Sequence, residues 1–145
     1  MSERFNTEVL IVGTGISGLL AAIKLSERYS VTILSKSSLS DCSTAWAQGG
    51  IAAVIDNEDN INNHIKDTIN NGHEICNTNS VQQIIKQGKD SIELLLNYGV
   101  NFNKKGKGLD QTLEGGHSHR RIIYHNDNTG AVSYTHLTLP TKRIV

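Results

Sequence analysis

Val9-Leu10-Ile11-Val12-Gly13-Thr14-Gly15-Ile16-Ser17-Gly18-Leu19 is the stretch that decides the fold. A short apolar run breaks into three spaced glycines and restarts at helical spacing. A helix is expected over residues 16–28, with Leu19, Ala22, Ile23 and Leu25 facing inward. The apolar run suits a buried parallel strand. A second one, Val31-Thr32-Ile33-Leu34, completes the order strand, turn, helix, strand. In such a turn Gly13 permits the sharp bend, Gly15 lets the backbone approach a pyrophosphate, and Gly18 allows the helix to pack closely on the strand. The helix N-terminus adds N–H groups and partial positive charge, so the anion needs no lysine. The stretch reads as a nucleotide site in an α/β domain.

The totals narrow the class of partner. With 145 residues, 37% hydrophobic and 19% charged, the chain has the make-up of one soluble globular domain. Lys plus Arg and Asp plus Glu number 14 each, so no charge excess argues for nucleic acid or a membrane surface. No apolar run is long enough to span a bilayer, and the start lacks the basic-then-apolar order of a secretory signal. A cytoplasmic location is expected. Cys42 and Cys76, in no paired spacing, read as free thiols.

About 20 residues beyond the glycines a dinucleotide fold usually places Asp or Glu for a ribose hydroxyl, and here that position falls on Ser35. Its hydroxyl retains hydrogen-bonding capacity without the charge, so NAD gains no support. Ser43-Thr44-Ala45-Trp46-Ala47-Gln48-Gly49-Gly50-Ile51-Ala52-Ala53-Val54 is nearly bare of large side chains. It suits close backbone approach to something flat or phosphorylated, with Ser43, Thr44 and Gln48 as donors; a packing seam of small residues fits the same composition.

Ile61, Ile65 and Ile69 give a helical stripe over residues 61–71, ended by Gly72. A second helical region starts at Thr78 or Asn79 and runs to Leu96, with Gly88 marking a break and Gly99 a stop. A short strand is expected at residues 100–102 and a flexible basic loop at 104–108. Functional side chains are densest in Glu114-Gly115-Gly116-His117-Ser118-His119-Arg120-Arg121. His117 and His119 would share a strand face, but no Cys or acidic pattern completes a metal site. A pocket for a small anion or cofactor suits the cluster, as does a solvated loop.

Three separated stretches, Val9 to Gly18, Ser43 to Val54 and Glu114 to Ile122, together resemble the L-aspartate oxidases, within the succinate dehydrogenase and fumarate reductase flavoprotein superfamily. The resemblance runs from about residue 8 to about residue 130 and implies an incomplete Rossmann-like FAD-binding domain with added helices and a β segment. The Ser35-Lys36 ending of the second strand is normal for that family. By motif, Thr14, Gly15, Ile16 and Ser17 lie against the FAD pyrophosphate in the cofactor-binding turn that runs from Gly13 to Gly18, with Lys36 near the adenosine end. Ser43, Thr44, Ala45, Trp46, Ala47, Gln48, Gly49 and Gly50 follow the dinucleotide and isoalloxazine. A histidine stands at the position of Ser43 in covalently flavinylated relatives, so noncovalent FAD is implied.

Glu114 is the substrate-orienting residue the resemblance implies, because the dicarboxylate-only relatives lack an acid there and an amino acid brings an ammonium group. The implied reaction is oxidation of L-aspartate to iminoaspartate, with O2 or fumarate as acceptor, opening quinolinate and NAD synthesis. The family's catalytic arginine and its other carboxylate-binding groups are not among these residues. No catalytic residue is therefore assigned within the chain, and no turnover is expected from it alone. Two rival readings are a succinate dehydrogenase or fumarate reductase flavoprotein subunit and a nonenzymatic nucleotide-binding module. By domain, residues 1–131 are expected to be the N-terminal portion of a discontinuous FAD-binding domain. Residues 132–145, of which Val132 to Thr141 resemble a translated sequencing-library adapter, are expected to be a nonnative tail. The alternation from Ser133 to Leu139 leaves an ordinary β-strand tail as the second reading.

Overall fold

The computed structural model describes residues 6–38 and 41–138. In chain order the elements begin with β1 (Val9–Val12), α1 (Ile16–Leu25), β2 (Val31–Leu34), α2 (Ser43–Trp46) and β3 (Ile51–Ala52). Three helices follow, α3 (Ile61–Asn71), α4 (Thr78–Lys86) and α5 (Gly88–Asn97). The short strands β4 (Lys104–Lys105), β5 (Gly108–Leu109), β6 (Gln111–Thr112) and β7 (Ile122–Ile123) lead to α6 (Thr129–Thr138). The chain divides into two compact units, one of residues 1–47 and 130–145, the other of residues 48–129.

In the first unit β1 and β2 pair in parallel, Val9 opposite Val31 through Val12 opposite Leu34, and Gly13 N–H donates to Leu34 C=O at 2.8 Å. Parallel neighbours need a crossover, which α1 provides. Leu19 and Ala22 are buried on α1 as expected, while Ile23 and Leu25 are half-buried. The helix stops at Leu25 rather than Arg28: Ser26 N–H still reaches Ala22 C=O, but Arg28 N–H bonds Leu25 in a tighter turn. Nor is β1 buried on both faces, because Leu10 and Val12 are 56% and 77% exposed in a sheet of only two strands.

The alternating stretch from Ser133 is helix as far as it is described. Its buried positions are Thr129, Gly130, Ser133, Tyr134 and Leu137, recurring every three to four residues along one face, so a helical stripe overrides the strand-like alternation. Thr135 and Thr138 hydroxyls donate to Ala131 and Thr135 carbonyls within the helix. Residues 139–145 of the expected tail lie outside the described residues.

In the second unit β7 is the middle strand of an antiparallel sheet ordered β3-β7-β6, with Ile51 opposite Ile123 and Gln111 opposite Ile123 on its other side. Its core includes Ala53, Ile92, Val100, Ile122 and Ile123. Helix α3 has the expected bounds, yet its buried residue is His64, whereas Ile61 is exposed and Ile65 and Ile69 are half-buried. The helical region does break near Gly88, but α4 is capped one residue before the expected start: Asn77 Oδ1 accepts from Ser80 N–H at 3.0 Å.

The expected strand at residues 100–102 is absent. Val100 and Phe102 are buried as anchors, and ladder-like pairing begins only where Asn103 N–H donates to Tyr124 C=O. The basic segment is not a loose loop but a hairpin, Lys104 opposite Leu109 and Lys105 opposite Gly108, turning at Gly106 with φ of 61°. Its lysines are exposed, as their charge requires.

Two isoleucines of adjacent helices separate burial from chemistry. Ile92 is 1% exposed and Ile84 71%. Ile92→Ala should cost about 2–5 kcal/mol, and Ile84→Ala no more than about 0.5 kcal/mol, read as shifts of the urea midpoint. Equal shifts would contradict the assigned core.

Candidate functional site

The glycine turn of the first unit takes its shape from two backbone positions. Gly13 has φ of 111°, a left-handed conformation open to glycine, and a Cβ on Gly18 would collide with the Gly13 carbonyl. Helix α1 therefore rests directly on the end of β1. Gly15 is the N-cap of α1 in extended backbone, and Ile16 N–H donates to Thr44 Oγ1 at 3.1 Å, joining the turn to the start of the small-residue segment. A cleft opens at this mouth, lined by the turn from Gly13 to Gly15, by Ser35 and Lys36 after β2, and by residues 41–44. Ser35, at the position where an acid is usual, has its hydroxyl 3.5 Å from that of Thr14.

Hydroxyls of Thr14, Ser35, Ser43 and Thr44 with the Lys36 ammonium make a donor-rich mouth, and a Cβ on Gly13 would meet nothing within 4 Å. That donor set and that bare turn fit a diphosphate with its ribose. Asp41, whose carboxylate accepts from Ser37 Oγ at 2.5 Å, is the one acid on the lining. Among the remaining expected residues, Ser17 and Ala47 are exposed, Ala45 is half-buried, and Trp46 is 74% exposed.

Gln48, Gly49 and Gly50 belong to the second unit, where they line a cleft together with Glu114, Thr112 and Tyr124. A Cβ on Gly50 would lie 2.6 Å from the Ile123 carbonyl oxygen, so glycine lets this segment lie flat on β7. The cleft joins the small-residue segment to the one acid singled out in the sequence. Tyr124 donates its hydroxyl proton to Asp110 Oδ2 at 2.7 Å, and that bond, with burial, raises the phenol above its ordinary value.

His117 and His119 do not share a strand face. Residues 114–121 form a turn and an irregular loop, and Arg121, which carried no assignment, is fully buried at its end. Arg121 grips Asp59 with two bonds, Nε to Oδ2 at 2.6 Å and Nη2 to Oδ1 at 3.0 Å. Its Nη1 donates to Asp67 Oδ2 at 2.7 Å and lies 3.2 Å from His117 Nδ1. Ser118 donates to the same Asp67 oxygen from both N–H and hydroxyl, at 2.8 and 2.7 Å. His119 Nδ1 is 2.8 Å from Ser118 Oγ and 3.5 Å from Asp59 Oδ1.

Burial on its own would raise the Asp59 carboxyl, but the Arg121 hydrogen bonds, the Asn60 N–H and the Arg121 charge outweigh it and hold the group below the usual carboxylate range. At Asp67 burial is likewise outweighed, by Ser118 and Arg121, and the depression is larger. His64, tilted against His117 at 5.7 Å between ring centres, is lowered by burial and then by the charges of Arg121 and His117. Nothing in the spacing of Asp59, Asp67 and Arg121 pointed to this clamp. The one available signal was an arginine immediately before the apolar pair Ile122-Ile123.

Two outcomes follow from the clamp. Arg121→Ala strands two carboxylates and should cost about 3–5 kcal/mol, measured by urea unfolding; a loss under about 1 kcal/mol would mean the pairs are solvated. Because both carboxyls are depressed in the fold, their contribution is complete above the unfolded value of about 4 and disappears as pH falls through the folded values. Acid unfolding of Asp67→Asn should therefore depend less on pH than that of the parent, and an unchanged acid limb would contradict the assignment.

The comparisons with known proteins bear on both units. The chain is 37% identical to the L-aspartate oxidase of Pseudomonas aeruginosa over 99% of its own length and 28% of the relative's. It is 44% identical to that of Acinetobacter baylyi over 93% of its length and 25% of the relative's. It thus spans about a quarter of the curated relatives it matches. Among solved structures, the FrdA chain of an E. coli quinol fumarate reductase variant superposes with a TM-score of 0.88 at 25% identity, covering 95% of this chain and 24% of that one. The Rossmann-like reading of the β1-α1-β2 unit agrees with that superposition. The sequence pattern of FAD binding domains matches residues 8–140, which takes in residues of both units, and the chain therefore belongs to the FAD binding domain family, with FAD as its cofactor.

Proposed function

We propose that the whole protein carrying this chain is an L-aspartate oxidase and that the chain contributes its FAD-binding turn and its amine-recognising acid. The observation that carries the reading is Glu114 on the same cleft as Gln48, Gly49 and Gly50. An exposed carboxylate beside the flavin segment favours a substrate with an ammonium group over a plain dicarboxylate, by charge complementarity. The 37% and 44% identities to L-aspartate oxidases support the same choice over the fumarate reductase, at 25%. Bound FAD supplies the two-electron acceptor for oxidation of L-aspartate to iminoaspartate, with O2 or fumarate as final acceptor. Within the chain, Thr14, Gly15, Ile16 and Ser17 hold the pyrophosphate on a turn shaped by Gly13 and Gly18, Lys36 attends the adenosine end, and Ser43 to Gly50 follow the remainder. Ser43 has no imidazole to link to a flavin, so FAD is held noncovalently. The carboxylate-binding cations and the proton-transferring group come from elsewhere in the whole protein, so no turnover is expected from the chain alone.

The purified whole protein should be yellow, release its flavin on denaturation, and form peroxide when given L-aspartate and O2. Glu114→Gln should lower kcat/KM for L-aspartate about tenfold to a hundredfold. Oxidation of succinate in preference to L-aspartate, or flavin retained on the denatured polypeptide, would contradict the reading. Peroxide from the 145-residue chain alone would contradict the division of labour.

A further inference from the structure

We propose that the last turns of α3 are the template that sets Glu114 at its cleft, with Asn71 and Asp67 as positioning residues; the inference rests on the reading of Glu114 given above. Among the described residues the Glu114 carboxylate has no hydrogen-bond or ion-pair partner, and the residue is exposed. No side-chain hydrogen bond or ion pair among the described residues fixes it, so its place is set by its backbone. Glu114 opens a four-residue turn in which its carbonyl accepts from His117 N–H at 3.2 Å and Gly116 takes φ of 82°.

That turn is tied to α3 at successive points. Asn71 Nδ2 donates to the Gly116 carbonyl at 2.7 Å and to the Asp67 carbonyl at 2.8 Å, using both of its protons. A Cβ on Gly116 would stand 2.8 Å from the Asn71 amide, so Asn71 occupies the space the missing side chain leaves. One turn back along the same helix face, Asp67 Oδ2 takes both donors of Ser118 and one of Arg121. Asn71 and Asp67 thus bind the two residues on either side of His117, and the buried Arg121 holds the end of the segment. Movement of the turn relative to α3 requires breaking the Asn71 bond to Gly116, and Glu114 moves with the turn.

The test is a double-mutant cycle in the whole, FAD-loaded protein, using Asn71→Ala and Glu114→Gln. Asn71→Ala should raise KM for L-aspartate about threefold to tenfold, with FAD affinity unchanged, and should add nothing when Glu114→Gln is already present. Asn71→Asp, isosteric but without the donated bond, should behave like Asn71→Ala and guards against a packing effect. A normal KM in both Asn71 variants, or the same fold-change with and without Glu114, would overturn the template. If Glu114→Gln leaves KM unaltered, the amine reading falls and the template with it. If Glu114→Gln raises KM and Asn71 is silent, the template alone falls.

Discussion

The close approach of α1 to the end of β1 is the constraint on which the first unit depends. It exists because residue 18 has no Cβ to strike the Gly13 carbonyl. With the helix seated there, the crossover to β2 closes in parallel and the N-terminal turn of α1 opens onto a mouth lined with hydroxyls. Larger residues at 18 would lift the helix and spread the donors. The fold and the anion site are thus two consequences of one steric fact.

The second unit solves a different problem. A loop rich in glycine and charge must present an acid without collapsing or drifting, and it has almost no apolar surface with which to anchor itself. Its anchor is electrostatic: Arg121, fully buried, satisfies two carboxylates while Asp67 also takes two donors from Ser118. Such a clamp adds little net stability relative to a well-packed apolar substitute, since desolvation offsets most of the attraction. What it does supply is a single register for the loop against α3.

Much of this was legible in the sequence where local pattern and tertiary demand agree. The strands at 9–12 and 31–34, the helix at 61–71 and the interruption near Gly88 all follow from periodicity and punctuation. Expectation and structure parted where long-range packing decided. His64 rather than an isoleucine is the buried residue of α3, because the helix turns its polar face toward the Arg121 cluster. Residues 133–138 alternate like a strand yet bury a helical stripe. In the candidate site, Glu114 and the Gln48 to Gly50 segment could be picked out singly from composition and resemblance, but their place on one cleft is a tertiary fact. The Arg121 clamp, whose members lie 54 and 62 residues apart, had no local signature at all.

Cofactor binding by this chain depends on the glycine turn receiving the pyrophosphate of FAD. A crystal structure of the whole protein grown with FAD addresses this most directly. The pyrophosphate is expected within hydrogen-bonding distance of the backbone between Thr14 and Ser17, with α1 pointing at it. FAD bound away from that turn, or a turn that leaves saturating FAD unbound, would contradict it.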